Sequence, residues 1–232
     1  MKTMIISDHY DLSNFTSNYL QKSNIPFEIF YTKKKSLVVS NSRYLNFKKD
    51  NLKDLKKKFN KIISIHCHKI LPNQLTKNFE CINFHPGYNP YNRGIYPQIF
   101  SIINKKSCGV TIHKMTSKID HGPIILRKKV IIDKTDTSYE VYKKIIRLQK
   151  KVIKEKLIKI IKNDFKYKKI EKIGNYNSIK KFKKICKLNL NSKKTLREHI
   201  NLIRALSHGK YKNAYFISNK KKIFIKIKMH TE

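Results

Sequence analysis

Tryptophan is absent, glycine and proline occur six times each and cysteine four times in 232 residues. Each shortage excludes something. So little glycine and proline rules out collagen-like and low-complexity architectures. Cys67, Cys81, Cys108 and Cys186 form no CxxC pair and no zinc spacing, so the thiols are expected free, in a reducing, cytoplasmic compartment. Long apolar runs are missing as well. The opening MKTMIISDHYD has none, and no stretch approaches the ~20 apolar residues of a membrane span. Acidic residues are scarce: 15 Asp and Glu face 53 Lys and Arg, for a formal charge of +38.

That charge suits nucleic acid or an acidic membrane. Its make-up points elsewhere, because only Arg43, Arg93, Arg127, Arg147, Arg197 and Arg204 are arginines. Readers of nucleic acid favour the planar fork of Arg, whereas lysine spread alongside abundant Asn, Ile, Tyr and Phe reads as a compositional bias of the surface. The expectation is no specific nucleic-acid partner and no membrane insertion, with a basic binding protein kept as the alternative class. A hydrophobic share of 40% and an aromatic share of 11% suffice for one real core.

The special backbone residues are gathered between Asn83 and Gly122, which holds Gly87, Gly94, Gly109 and Gly122 with Pro86, Pro90 and Pro97. From Asn78 to Asn104 there is no lysine. Glycines permit close approach, prolines fix φ, and polar side chains between them on a loop make a binding site.

Before that stretch, strands are predicted at Thr3 to Ser7, Phe27 to Tyr31, Leu37 to Val39 and Lys61 to His66, with helices at Leu12 to Gln21 and Asn51 to Phe59. Glu80 to Phe84 is a further strand, and Pro97 to Asn104 a helix with proline at its start. Gly109 to Met115 and Ile124 to Ile132 are predicted to pair. Thr137 with Glu140 has the capping-box pattern, opening a long helix whose apolar positions run from Val141 to Ile161. After Asp164 comes a lysine-rich connector of weak structure, a helix from Leu196 to Leu206, and a hairpin of Ala214 to Ser218 and Ile223 to Lys228 around NKKK. Strands alternating with helices predict an α/β, Rossmann-like fold with a mostly parallel sheet. The expected division is a catalytic domain over 1–164 and an extension over 165–232.

Asn83 and His85 lie two apart at a strand end and lean to one side, and Asp120 follows on a loop. An amide donor, a titratable imidazole and a carboxylate can together transfer an acyl group to an amine. Spacing alone leaves open that the first two merely finish a strand. His66 and His68 flank Cys67 like a metal pair without a third ligand, so no metal is expected; His113, on an apolar strand, reads as a core histidine.

The motifs Asn83, His85, Pro86, Pro90, Arg93, Gly94 and Pro97, then Gly109 to Met115, then Asp120 and Gly122, resemble the formyltransferases that use 10-formyltetrahydrofolate. The wording HPGYNPYNRG, IYPQIFSIIN and IDHGPII, with the tail from Thr195, most resembles the sugar N-formyltransferases acting on dTDP-linked 4-amino-4,6-dideoxy sugars. The resemblance implies that Asn83 holds the formyl oxygen, His85 stabilises the oxyanion and Asp120 takes the amine proton. It implies that the loops Lys69, Ile70, Leu71, Pro72 and Ser117, Lys118, Ile119 read the folate, and that Tyr88, Asn89, Tyr91 and Arg93 meet the sugar nucleotide. Ile95 departs from the pattern, which carries Trp there. The expected product is a formamido sugar nucleotide for a surface glycan, with dTDP-4-amino-4,6-dideoxyglucose the expected acceptor and a homodimer formed at the terminal hairpin. Rival folate-dependent readings are methionyl-tRNA formylation, disfavoured by the short C-terminal part, and the purine-pathway transformylase, which lacks the RALSHG and NAYF tail.

Overall fold

The computed structural model describes residues 1–34, 38–170 and 174–232. The chain opens with β1 (Lys2–Ile6), α1 (Tyr10–Lys22), β2 (Phe27–Tyr31), β3 (Arg43–Tyr44) and α2 (Leu52–Lys58). β4 (Phe59–Ile65), α3 (Asn73–Asn78), β5 (Glu80–His85), β6 (Arg93–Gly94) and α4 (Pro97–Asn104) follow. Then come β7 (Cys108–Lys114), β8 (Ile124–Val130) and α5 (Ser138–Ile161). The last part holds β9 (Tyr176–Asn177), α6 (Ile179–Cys186), α7 (Leu196–Leu206), β10 (Tyr215–Ser218) and β11 (Lys221–Phe224).

Seven strands form one sheet in the order β3-β2-β1-β4-β5-β7-β8. The first five are parallel, while β7 runs antiparallel to β5 and β8 antiparallel to β7. Strand order reverses between β1 and β4, so their carboxyl ends open a crevice where such sheets take ligands. Both faces are covered. Ile63 and Ile65 of β4 pack with Leu12, Val141 and Ile145 on one side, while Ile62 meets Met4, Phe59 and Leu75 on the other. Burying each such side chain contributes roughly 1.5–3 kcal/mol.

The long helix begins as its sequence predicts, with both halves of the Thr137–Glu140 capping box formed. Its far end is tied down by Lys61, buried, whose ammonium donates to the Ile160 carbonyl and Asn163, each at 2.5 Å, and pairs with Glu80 at 3.0 Å. The C-terminal elements join the same core: Ala205, Leu206 and Ala214 are buried with the α5 stripe.

Three expectations are corrected. Of the strand expected at Leu37 to Val39, Leu37 lies outside the described residues and Val38 and Val39 are not strand; the third strand is Arg43–Tyr44, paired with β2. The lysine-rich connector contains a helix, because Ser178 caps α6 and its Phe182 and Ile185 pack against the core while the lysines face out. The terminal turn is Asn219 and Lys220 alone, both at positive φ (46° and 61°), as a two-residue hairpin of the type I′ class demands.

Candidate active site

Two strands and one loop build the site. Asn83 and His85 come from β5, His113 stands opposite Asn83 in the antiparallel β7 register, and Asp120 sits on the loop to β8. Asp120 is the hub. Its Oδ1 lies 3.4 Å from Asn83 Nδ2, 3.5 Å from His113 Nε2 and 3.6 Å from His85 Nδ1. Its Oδ2 accepts the Gly94 amide at 3.0 Å. Asp120 itself is held at φ +49°, the left-handed region that Asp tolerates better than most residues.

The loop stays in this strained shape because its carbonyls are held from outside. Asn89, fully buried, donates from Nδ2 to the Asp120 carbonyl at 2.9 Å, and Arg93 donates to the Ile119 carbonyl at 3.2 Å and the Gly174 carbonyl at 3.4 Å. Both side chains, expected to meet the sugar nucleotide, thus also brace the loop that carries Asp120. Arg93 Nε and Asn89 Oδ1 are buried without a hydrogen-bond partner, so neither side chain is used up by this bracing. Tyr88 and Tyr91 stay at the loop's margin, half-buried, with Arg127 and Lys129 over the first ring and Lys106 over the second. Ile95 is likewise half-buried, and its amide donates to the Asn177 carbonyl.

Burial pushes the Asp120 carboxyl up, but the facing His85, the contact with His113 and the Gly94 amide outweigh it and hold the group well below the usual carboxylate range. Burial pulls His85 below the ordinary imidazole value, against the opposing pull of Asp120. The pair at neutral pH is an ionised carboxylate beside an uncharged ring. His85 Nε2 is buried without a hydrogen-bond partner, on the ring edge that faces Gly87 rather than Asp120. Gly87 leaves the ring its space: a Cβ there would lie 2.3 Å from Nε2. The two 3.4 Å contacts of Asn83 are long, so its amide protons are held loosely enough to turn to a substrate.

The two loops expected to read the heterocycle flank this centre in the fold. The Lys69 carbonyl accepts the Cys67 thiol, and the Pro72 carbonyl accepts the Leu75 and Thr76 amides at the start of α3. Leu71 is buried in the core while Ile70 is 70% exposed, so Leu71 can act only through its backbone. On the second loop Ser117 and Lys118 are exposed and Ile119 half-buried. No group of three or more His, Cys, Asp or Glu is arranged to hold a metal ion among the described residues. His113, read from sequence as a core histidine, is both: 1% exposed, and in contact with Asn83 and Asp120. The signal was its register, since the antiparallel pairing sets it across from Asn83.

An amide donor, an uncharged imidazole and an ionised carboxylate converge at the carboxyl edge of a Rossmann-like sheet, which defines a site for moving an acyl group onto an amine. The family model described as formyl transferase matches residues 3–157, and that described as N-formyltransferase dimerization C-terminal domain matches residues 181–231. The dTDP-4-amino-4,6-dideoxyglucose formyltransferase of Mycobacterium tuberculosis is 33% identical over 184 residues, 79% of this chain and 79% of its own. A sugar N-formyltransferase from Shewanella sp. matches with a TM-score of 0.94 at 36% identity, over 100% of this chain and 99% of its own. In fold alone, an N-formyltransferase from Helicobacter canadensis, solved with folinic acid and dTDP-3-aminofucose, matches with a TM-score of 0.78 at 23% identity, over 96% of this chain and 86% of its own. The chain belongs to the formyl transferase family.

Proposed function

We propose that the protein transfers the formyl group of 10-formyltetrahydrofolate to the 4-amino group of a dTDP-4-amino-4,6-dideoxyhexose, with dTDP-4-amino-4,6-dideoxyglucose the favoured acceptor. The observation that carries this is the convergence of Asn83, His85 Nδ1 and the ionised Asp120 around one point. The folate supplies the activated formyl group; Ile70, Leu71, Ser117 and Lys118 would hold its ring through backbone groups.

Asn83 donates to the formyl oxygen as the amine attacks the formyl carbon and that oxygen gains negative charge. His85 adds a second polar contact to the oxyanion. Asp120, ionised at neutral pH, takes the proton from the attacking nitrogen, directly or through one water. As the carbon to folate-nitrogen bond breaks, a proton is returned to the leaving nitrogen. It is the proton Asp120 took from the amine, passed on through the uncharged His85, and its delivery leaves Asp120 ionised again. Removing one oxyanion donor typically costs ~10² to 10³ in rate, so Asn83 replacement silences transfer without unfolding the chain.

The two matched family models, ending at residue 157 and beginning at 181, support a catalytic domain over 1–164 and an extension over 165–232. Exposed Ile217, Ile223 and Phe224 on the terminal hairpin support homodimerisation there. No helix among the described residues is long and apolar enough to cross a membrane. The cytoplasmic setting, the absence of a specific nucleic-acid partner and the supply of a surface glycan complete the reading. The test is a transfer assay with 10-formyltetrahydrofolate and dTDP-4-amino-4,6-dideoxyglucose on the parent and Asp120→Asn. Formylated product from the parent and almost none from the variant is expected; a folded parent that formylates no amino sugar nucleotide overturns the proposal.

A further inference from the structure

Asp120 reaches the site by one carboxyl oxygen and is anchored by the other. Oδ1 faces Asn83, His85 and His113, whereas Oδ2 accepts one hydrogen bond among the described residues, from the Gly94 amide. That amide belongs to β6, a strand of two residues outside the seven-stranded sheet. Its ladder partner is β9, in the C-terminal extension. The Arg93 amide donates to the Asn175 carbonyl at 3.0 Å and the Ile95 amide to the Asn177 carbonyl at 3.1 Å. Two short strands on their own are marginal in water, so the ladder needs support from side chains.

Asparagines supply it. Asn92 is fully buried and stands at φ +51°, which Asn tolerates. Its backbone amide donates to Asn175 Oδ1 at 2.9 Å and its Oδ1 accepts Asn175 Nδ2 at 2.8 Å, so each residue grips the other twice. The same Oδ1 accepts Asn104 Nδ2 at 2.8 Å, from the end of α4, and Asn177 Nδ2 at 3.4 Å. Asn92 Nδ2 donates to Ser101 Oγ at 3.1 Å. Asn177, also fully buried, accepts Lys181 Nζ of α6 at 2.8 Å, and Phe182 of the same helix lies 4.6 Å from the Tyr96 ring at the start of α4. A buried network whose members are satisfied in this way is rigid. Its asparagines make no hydrogen bond to Asn83, His85 or the Asp120 side chain among the described residues, so any effect they have on the reaction passes through β6.

We infer that Asn175 and Asn177 of the extension are positioning residues for formyl transfer: through Asn92 and the β6–β9 ladder they hold the Gly94 amide against Asp120 Oδ2, which keeps Oδ1 turned to the reacting groups. The inference rests on the proton-accepting role proposed above for Asp120. Without the anchor the carboxylate is free to turn about its terminal torsion, whose energy well is broad, and Oδ1 leaves the point on which Asn83 and His85 converge. The amide also stabilises the ionised form that the reaction needs, as a charge-assisted hydrogen bond does. The C-terminal part of the chain then serves the catalytic centre as well as holding two copies together.

The experiment joins steady-state kinetics to one nuclear magnetic resonance signal. Of the six glycines Gly94 alone follows an arginine, so labelling with ¹⁵N-glycine and carbonyl-¹³C-arginine singles out its amide, whose proton is deshielded by the carboxylate. The parent, Asn175→Ala and the isosteric Asn175→Asp are compared, with thermal melts beside them. Asn175→Asp keeps the acceptor for the Asn92 amide and loses only the Nδ2 donor, so it folds. In Asn175→Ala the Gly94 proton is expected to move upfield and kcat to fall about tenfold, the rate equivalent of one hydrogen bond, with the KM for dTDP-4-amino-4,6-dideoxyglucose and for 10-formyltetrahydrofolate unchanged. Asn175→Asp is expected to move both readouts the same way by less. Folded variants whose Gly94 signal stays in place, or whose kcat is kept while a KM rises, overturn the positioning role and leave the reaction standing. A parent that formylates no amino sugar nucleotide overturns both.

Discussion

Gly87→Ala tests the site through a residue that carries no chemistry. The new Cβ would lie 2.3 Å from His85 Nε2 and 2.7 Å from its Cδ2, against a floor of 3.0 Å for real Cβ contacts. The backbone has little room to retreat. Thr111 Oγ1 donates to the Gly87 carbonyl at 2.7 Å and accepts the Asn89 amide at 3.0 Å, so the loop is pinned to β7 directly after the substituted carbon. The φ of Gly87 is outside the left-handed region, so the methyl brings contact and no backbone strain. Relief must come from the ring, displaced by about 0.7 Å; misplacement on this scale costs ~10²-fold in rate. That corresponds to about 2.7 kcal/mol of transition-state stabilisation. The assay is initial-rate formyl transfer with mass-spectrometric detection of the formamido product, beside thermal melts and circular dichroism to show that the variant folds. A folded Gly87→Ala with kcat/KM within about threefold of the parent would refute both the proposed role of the His85 ring and the pinning of the loop.

The Asp120 carboxyl binds a proton less readily in the folded chain than at its ordinary 3.8, so the stability it supplies is complete above that value and is lost as pH falls below it. Asp120→Asn should flatten this acid limb in a pH series of melts as well as abolish turnover, and an unchanged limb would contradict the assignment. His85, held below 6.5 by burial, is uncharged through the neutral range; the rate profile should be flat above pH 6.5 and fall on the acid side, and a plateau that begins only above pH 7 would count against it. Arg93→Ala leaves the Ile119 and Gly174 carbonyls without their donor and should cost roughly 1–3 kcal/mol in denaturant unfolding, with kcat reduced more than the KM for the sugar nucleotide; a selective rise in that KM would show that substrate contact outweighs the bracing. Replacing Ile217 and Phe224 by Glu should convert dimer to monomer in sedimentation equilibrium, and a dimer that persists would move the interface off the hairpin.

Much of this was readable in the sequence where one signal acted alone. The α5 start rests on local hydrogen bonds of Thr137 and Glu140, and the apolar runs of β1, β4 and β5 are buried on both faces whatever their partners. Asn83 and His85 needed only strand alternation. What stayed hidden depends on contacts distant in sequence. Nothing local shows that the carbonyls of Ile119 and Gly174 converge on the Arg93 guanidinium. His113 became visible as a site residue only through the antiparallel register with β5. α6 was obscured by its own lysines, which carry the charge that also masks its apolar stripe.

The strap formed by residues 174–177 sets where this chain can be cut and rejoined. Arg93 reaches the Gly174 carbonyl, β6 pairs with β9, and a side chain at Gly174 would stand 1.7 Å from the Pro90 carbonyl oxygen. A chimera spliced at the end of α5 would therefore take the Asp120 loop from one parent and the brace beneath it from another. Recombination between homologous enzymes should be tolerated when the junction falls beyond Asn177, where the brace travels with the half of the polypeptide that it supports.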